Sequence, residues 1–303
     1  MPILLNYLIK FAMNKTTLDA IPLVESVLLP TDLEFSQVSE RAFAHALAIA
    51  LLGETQFTIL HVGPEHESDI EWTNYPSVRQ TLERWGFLET GSPQSAVFDK
   101  LRLKVRKMAL RSRHPVKATT GFLDHEPTDL IVLATEGRKG ATGLFNRSNA
   151  EAIARWSRTM TLFVPAHSKR DLVSLADGKA SLKNILIPID WQPDCNGAVE
   201  FARRIAERLG DGKVSITLLH IGDSQPVIPT LEEGHSWNWQ VEKRQGEPVE
   251  EILLAAQKQM ADLIVMPTAG HEGVLDVLRG STTEQVLRQA PCPLLAVPAI
   301  RKF

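Results

Sequence analysis

The sequence predicts an α/β fold with two tandem, open, parallel sheets within one chain. Three observations support this prediction. One pattern of strands and helices occurs twice along the 303 residues. Apolar runs such as "DLIVLA", "DLIVMP" and "LLAVP" are continuous rather than alternating, as in parallel strands that are covered on both faces. Helical patterns separate these runs, which is the arrangement of right-handed βαβ units.

The repeat begins with a strand that feeds a helix. Residues 26–53 match residues 184–210, and each copy has a β-branched run, a Pro, an Asp, a polar loop and an apolar stripe at helical spacing. A second strand follows, because "FTILHVG" at 57–63 matches "ITLLHIG" at 216–222. Each copy therefore predicts the order strand, helix, strand, strand, helix, strand, helix, strand.

The two copies differ by an insertion in the first. Residues 115–165 match residues 248–298 without a gap at an offset of 133, whereas the earlier segments match at an offset of 158 or 159. The extra residues of the first copy include "PSVRQTLERWGFL", which predicts an additional helix.

The repeat also predicts the domain organisation. Residues 1–24 form an N-terminal extension, residues 25–170 the first domain and residues 171–303 the second, with a polar linker around 168–181.

Composition limits the classes of function. A net charge of −3 offers no basic footprint for nucleic acid. Cys195 and Cys292 are too far apart for a CxxC site, which favours a reducing cytoplasm. The apolar start "MPILLNYLIKFAM" lacks the marks of a signal peptide and is too short to span a bilayer. We expect a docked amphipathic helix there, with a membrane-surface anchor or a mis-assigned start as alternatives.

Two aspartates follow the first strands of the copies. Asp32 ends "LLPTD" and Asp190 ends "LIPID", so both lie where open parallel sheets bind ligands, beyond the carboxyl ends of the strands. Such a carboxylate can accept hydrogen bonds from a ribose or a base edge. It is equally a common residue of a turn that enters a helix, and the sequence alone leaves both interpretations open.

These features resemble the universal stress protein (UspA-like) family, and the resemblance covers nearly all of residues 25–300 as a tandem pair. It is carried by "ADLIVM", the Pro-x-Asp strand ends, "GEPVEEIL" and "APCPLLAVP". Nucleotide-binding members of that family have G-x-x-G, nine residues and then G-[S/T] after the fourth strand. The resemblance implies a Rossmann-like fold and a role in the stress response as a sensor or adaptor that binds ATP, AMP or another adenine nucleotide. It also implies that the two halves pack as a pseudo-dimer through their last strands, "TLFVP" and "LLAVP", and this pairing would cover exposed strand edges.

The second copy keeps most of that motif. Gly270, Gly280 and Ser281 match, and the family resemblance assigns a phosphate to their backbone N–H groups and to the hydroxyls of Ser281 and Thr282, at the start of a helix expected over 282–290. Pro267 stands where the motif has its first glycine, so that one backbone contact is lost.

The first copy keeps less. The first copy retains Asp32, Gly137 and Ser148. Ala134 and Arg147 replace the other two glycines of the motif. A side chain at position 147 is expected to block close approach to the backbone, although a guanidinium can also pair with phosphate. We therefore expect nucleotide to bind mainly to the second copy.

Two alternatives to the nucleotide sensor remain open. "STTE" at 281–284 and "SNAE" at 148–151 fit the capping box, so both motifs can be purely structural, in a nucleotide-free interaction scaffold. The matched histidines His61 and His220 suggest a metal-dependent hydrolase, but no short ligand spacing supports a metal site. The sensor itself is expected to be non-catalytic, or at most a slow ATPase. A homodimer contact or a protein partner is also left open.

Overall fold

The computed structural model describes residues 22–33, 36–66, 70–135, 147–269 and 282–299. The helix expected in the N-terminal extension falls on residues 1–21 and lies outside the described residues. The strands are β1 (Ser26–Thr31), β2 (Gln56–Gly63), β3 (Lys104–Arg111), β4 (Leu130–Thr135), β5 (Met160–Pro165), β6 (Leu182–Ile189), β7 (Gly210–Ile221), β8 (Trp237–Arg244), β9 (Leu263–Thr268) and β10 (Leu294–Pro298).

Helices follow the strands in the predicted order. The predicted helix of the insertion is found as α2 (Val78–Arg84), and a second short helix that was not predicted, α3 (Ala96–Leu101), follows it in the same segment. No helix of the described residues is long and apolar enough to span a bilayer. The helices are α1 (Gln37–Ala50), α2 (Val78–Arg84), α3 (Ala96–Leu101), α4 (Pro115–His125), α5 (Arg147–Ser157), α6 (Asn196–Leu209), α7 (Pro248–Lys258) and α8 (Thr282–Leu287), with a 3₁₀ turn at Trp72–Asn74.

The strands form one ten-stranded sheet in the order β3-β2-β1-β4-β5-β10-β9-β6-β7-β8. Strands within each half of this order are parallel, and the two halves meet where β5 and β10 pair antiparallel. The predicted α/β fold and the pairing of "TLFVP" with "LLAVP" are therefore confirmed.

The antiparallel junction sets the direction of each half. Leu294 pairs with Phe163, Leu295 with Leu162 and Ala296 with Thr161. The strands on the two sides of this junction run in opposite directions. The carboxyl ends of β1–β5 therefore form a row along one side of the sheet, and those of β6–β10 form a row along the opposite side; each row of strand ends is called an edge below. A ligand at one set of strand ends is therefore remote from the other set.

Helices cover both faces of the sheet, as the continuous apolar runs predict. Buried side chains of α1 and α6 pack against one face, where Phe43, Leu47 and Ile205 are nearly inaccessible. Side chains of α4, α5, α7 and α8 pack against the other face, where Ile153 and Val286 are inaccessible. Each core extends across both halves, so the halves share one hydrophobic interior.

A repeated aspartate fixes the start of the first strand in each half. Asp129, in the first "DLIV", accepts hydrogen bonds from the backbone N–H groups of Glu25 and Ser26 at 2.8 and 3.0 Å. Asp262, in the second, accepts from those of Lys183 and Asn184 at 2.8 and 3.0 Å. The aspartate of this repeated motif thus satisfies orphan backbone donors, a structural role that the sequence comparison did not assign.

The linker between the halves is held by a buried arginine of α1. The Arg41 guanidinium donates to the Asp171 carboxylate at 2.6 and 2.9 Å and to the carbonyl oxygen of Pro165 at 2.9 Å. Arg170, which precedes Asp171 in the linker, donates to Asp262 of the second half at 3.3 Å. These bonds tie the linker to both halves at the edge that holds the carboxyl ends of β1–β5.

His45 completes this attachment and is held neutral. Its Nε2 accepts the backbone N–H of Leu172 at 2.9 Å, and its Nδ1 lies 2.6 Å from the Arg41 carbonyl, to which it donates. The ring is fully buried. Burial lowers the pKa of His45 below its ordinary value, and the nearby Asp171 carboxylate only partly offsets this effect.

The central junction is testable by a core truncation. Leu295→Ala removes a buried side chain of β10 opposite Leu162, and we expect the free energy of unfolding to fall by about 2–5 kcal/mol because a cavity remains. Leu254→Ala, at an exposed position of α7, is the control and should change it by at most about 0.5 kcal/mol. Urea unfolding measures both; equal stabilities of the two variants would contradict the pairing.

The linker attachment predicts a pH dependence. The pKa of His45 is lower in the folded state than its unfolded value of about 6.5, so the folded state binds fewer protons. The contribution of neutral His45 to the free energy of unfolding is therefore complete above pH about 6.5 and declines as the pH falls toward the folded pKa. We expect His45→Gln to flatten the loss of unfolding free energy between neutral and mildly acidic pH. His114→Gln, at an exposed site, should keep the slope of the parent chain, and an unchanged slope in His45→Gln would refute the assignment.

Candidate functional site

The second half has a topological switch point between β6 and β9. These parallel neighbours pair at Ile185 with Leu263 and Leu186 with Ile264, and β7 lies on the other side of β6. Helix α6 leaves β6 toward one face of the sheet, whereas α7 and α8 flank β9 on the other face. In open parallel sheets, ligands bind in the crevice outside the carboxyl ends of the strands at such a switch point.

Asp190 lies at this crevice, immediately after β6. It is exposed, and its Oδ1 accepts the backbone N–H of Trp191 at 2.7 Å. Among the described residues its carboxylate has no other hydrogen bond or ion pair. Trp191 is itself 76% exposed. The carboxylate therefore has an oxygen available for a ligand, and it also makes the turn contact that the alternative interpretation requires.

Most of the predicted phosphate loop lies outside the described residues. Gly270, Gly280 and Ser281 fall within 270–281, whereas Thr282 is exposed and opens α8. Pro267 lies within β9 and pairs with Val297 of β10. The structure thus places Asp190, Pro267 and Thr282 on neighbouring elements of the same half.

Helix α8 is shorter than the predicted 282–290. It ends at Leu287, and a turn closes with the N–H of Gln289 donating to the Val286 carbonyl at 3.0 Å. Ala290 precedes Pro291, and a residue before proline is disfavoured in helical geometry. The side chains of Arg288 and Glu284 are hydrogen-bonded within this last segment.

The corresponding edge of the first half is filled by the insertion. Tyr75 is buried, and its hydroxyl is hydrogen-bonded to the Thr31 side chain at the end of β1. Burial raises the pKa of Tyr75, and the negative charge of Asp32 raises it further. The ring of Phe43 in α1 meets the Tyr75 ring edge-on, with centroids 5.8 Å apart.

Tyr75 therefore lies beside Asp32, the counterpart of Asp190, and sequence reasoning missed it. The available signal was a tyrosine in the segment that the second copy lacks, together with Thr31 where the second copy has Ile189. Gly137 lies outside the described residues. Ser148 is in α5, but its side chain is not described.

The matched histidines bond to the backbone. His61 Nδ1 lies 3.1 Å from the Thr31 carbonyl oxygen, and His220 Nδ1 lies 3.3 Å from that of Ile189. His220 Nε2 is also 3.1 Å from the Ser224 hydroxyl. These bonds link the ends of neighbouring strands, as expected for structural histidines. Within the described ranges, no group of three or more His, Cys, Asp or Glu residues is placed to hold a metal ion.

Comparison with known proteins identifies the family. The model of the universal stress protein family matches residues 24–165 and 230–298, which together make up most of the chain. The chain belongs to the universal stress protein family. A universal stress protein of Methanocaldococcus jannaschii is 29% identical over 155 residues, a match that covers 42% of this chain and 89% of that relative.

The fold is shared with a solved universal stress protein. One from Archaeoglobus fulgidus superposes with a TM-score of 0.58 at 17% identity, covering 90% of this chain and 96% of its own. Another, solved in complex with cAMP, is 21% identical over a match that covers 46% of this chain and 97% of its own, with a TM-score of 0.29.

The contact between the insertion and β1 can be tested directly. Tyr75→Phe keeps the ring but removes the hydroxyl that bonds to Thr31, and we expect the free energy of unfolding to fall by about 1 kcal/mol. Thr73→Ala, at a neighbouring exposed position, serves as the control and should have no measurable effect. Chemical denaturation compares the two, and a Tyr75→Phe variant as stable as the parent would show that the bond contributes nothing.

Proposed function

We propose that this universal stress protein is a non-catalytic sensor or adaptor in the stress response that binds an adenine nucleotide, ATP in the first instance, mainly through its C-terminal half. The observation that carries the proposal is the contrast between the two strand edges. Asp190 is exposed and has spare hydrogen-bonding capacity, whereas the edge beside Asp32 holds the buried ring of Tyr75.

The proposed contacts follow from the motif of the second copy. Asp190 would accept hydrogen bonds from the ribose, since a carboxylate at a strand end commonly bonds to sugar hydroxyls. Gly270, Gly280 and Ser281 would supply backbone N–H groups to the phosphates, with the hydroxyls of Ser281 and Thr282 beside them. Pro267 has no N–H, so we propose that binding uses one backbone contact fewer than the full motif allows.

A sensor role fits the chemistry near Asp190 better than catalysis does. Phosphoryl transfer needs a positioned base or water-orienting group and carboxylates that hold the metal ion. Within the described residues, Asp190 lies in no cluster of metal-binding side chains. Any ATPase activity is therefore proposed to be slow.

We also propose that the protein is located in the cytoplasm. The free thiols of Cys195 and Cys292 are both buried, which is compatible with a reducing cytoplasm.

We further propose that residues 25–170 and 171–303 act as separate functional halves, with residues 1–24 as an extension.

A second candidate function is a nucleotide-free interaction scaffold. It is favoured by Trp191, whose large apolar side chain is exposed at the same edge as Asp190, and by Pro267 in the motif. An exposed tryptophan of this kind is typical of protein contacts.

A titration with a fluorescent ATP analogue distinguishes the two functions. We expect one analogue to bind per chain. Gly280→Arg should abolish binding because a side chain at that position obstructs the phosphate loop, and Asp190→Asn should weaken it about tenfold because a charge-assisted bond to the sugar is lost.

The matched control is Asp32→Asn in the first half, which should bind the analogue like the parent chain. Absent binding, or equal binding by the parent and Gly280→Arg, would leave the scaffold. Two analogues per chain, with Asp32→Asn as damaging as Asp190→Asn, would refute the preference for the C-terminal half.

A further inference from the structure

A second candidate site lies in the first half, between α1 and the insertion. A cleft of about 350 Å³ opens between Glu40 and Phe43 of α1 and part of the insertion between Thr73 and Trp85, and Leu175 of the linker also lines it. This volume is within the range of small-molecule sites in proteins. The cleft is specific to this half, because it is built from the insertion that the second copy lacks.

The floor of the cleft is aromatic and held in place. Phe43, Tyr75 and Trp85 line it, and all three side chains are buried. The Phe43 and Tyr75 rings pack edge-to-face, and the Trp85 Nε1–H donates to the Leu175 carbonyl at 3.0 Å. A rigid apolar floor can accept an apolar or aromatic group without first having to order its own side chains.

The rim carries two opposite charges. Glu40 lies in the first turn of α1 and Arg84 in the last turn of α2, so each charge is at the helix end that favours its sign. Among the described residues neither side chain has a hydrogen bond or ion pair, although both line the cleft. A carboxylate and a guanidinium that remain apart at one opening offer partners to an ammonium and a carboxylate of a ligand.

The charges on α6, the counterpart of α1 in the second half, are arranged differently. Arg203 of α6 bonds to Glu200 at 2.7 Å and lies 3.7 Å from Glu207 and Glu232. Its guanidinium also stacks over the Trp237 ring, 5.5 Å from the ring centroid. The charges on α6 are therefore satisfied within the protein, whereas those that flank the cleft on α1 and α2 are not.

We propose that the cleft binds a small zwitterion with an apolar body, such as an apolar amino acid or a short peptide. Glu40 receives the ammonium group, Arg84 the carboxylate, and the rings of Phe43, Tyr75 and Trp85 the apolar body. This site involves neither Asp190 nor the phosphate loop, so it goes beyond the proposed nucleotide binding and is independent of it.

Calorimetric titration with two probes tests the proposal. L-phenylalanine represents the free amino acids and L-leucyl-L-phenylalanine the peptides; each is also titrated as its N-acetyl derivative, which lacks the ammonium, and as its C-terminal amide, which lacks the carboxylate. We expect at least one zwitterion to bind, and each derivative of it to bind about tenfold more weakly or worse. Which parent probe binds more tightly identifies the amino acid or the peptide as the class.

Variants assign each charge to its partner. Glu40→Gln should weaken the zwitterion about tenfold but leave the affinity of the N-acetyl derivative unchanged, and Arg84→Gln should do the same with respect to the amide. Lys117→Gln, at an exposed position of α4, is the control and should bind like the parent chain. The derivatives test the charges on the intact protein, so the result does not depend on how well a variant folds. No binding of either zwitterion, or affinities that are insensitive to both charges, would overturn the proposal.

Discussion

The pairing of β5 with β10 is the constraint on which the rest of the molecule depends. Three residue pairs join two parallel half-sheets into one, and they do so antiparallel. An unpaired edge strand would expose its backbone donors and acceptors, and this junction removes one such edge from each half. It also sends the carboxyl ends of the two sets of strands to opposite edges of the sheet. The carboxyl ends of the two strand sets are therefore remote from each other, although the hydrophobic core is shared.

The two edges have diverged in different ways. At the first, the insertion brings Tyr75 to Thr31 and the linker is fastened through Arg41 and His45, so protein groups occupy the surroundings of β1 and β5. At the second, the segment after β6 remains exposed, with Asp190 bonded only to its own turn among the described residues. The insertion thus fills one edge of the repeat, and the same segment builds a cleft with α1.

The fold was largely predictable because it depends on patterns that repeat. The continuous runs "DLIVLA" and "LLAVP" specify buried parallel strands, and the matched copies specify how often the unit occurs. The position of Asp190 beyond β6 was predictable for the same reason. Tyr75 was not, because its contact with Thr31 joins two segments whose proximity is set by tertiary packing rather than by local spacing. The structural role of Asp129 and Asp262 was not predictable either. Each side chain bonds to backbone N–H groups that are distant in sequence, and such a contact produces no periodic pattern in the sequence. The overlong helix predicted after Thr282 shows the reverse error, in which an apolar pattern was extended to the residue before Pro291.

Hydrogen–deuterium exchange with and without a saturating ATP analogue tests the central claim that the two edges are functionally unequal. The account predicts slower exchange in the segments that follow β6 and β9, around residues 190–196 and 268–284, with unchanged exchange in the segments that follow β1 and β4. Equal protection at the two edges, or protection only around Asp32, would contradict it.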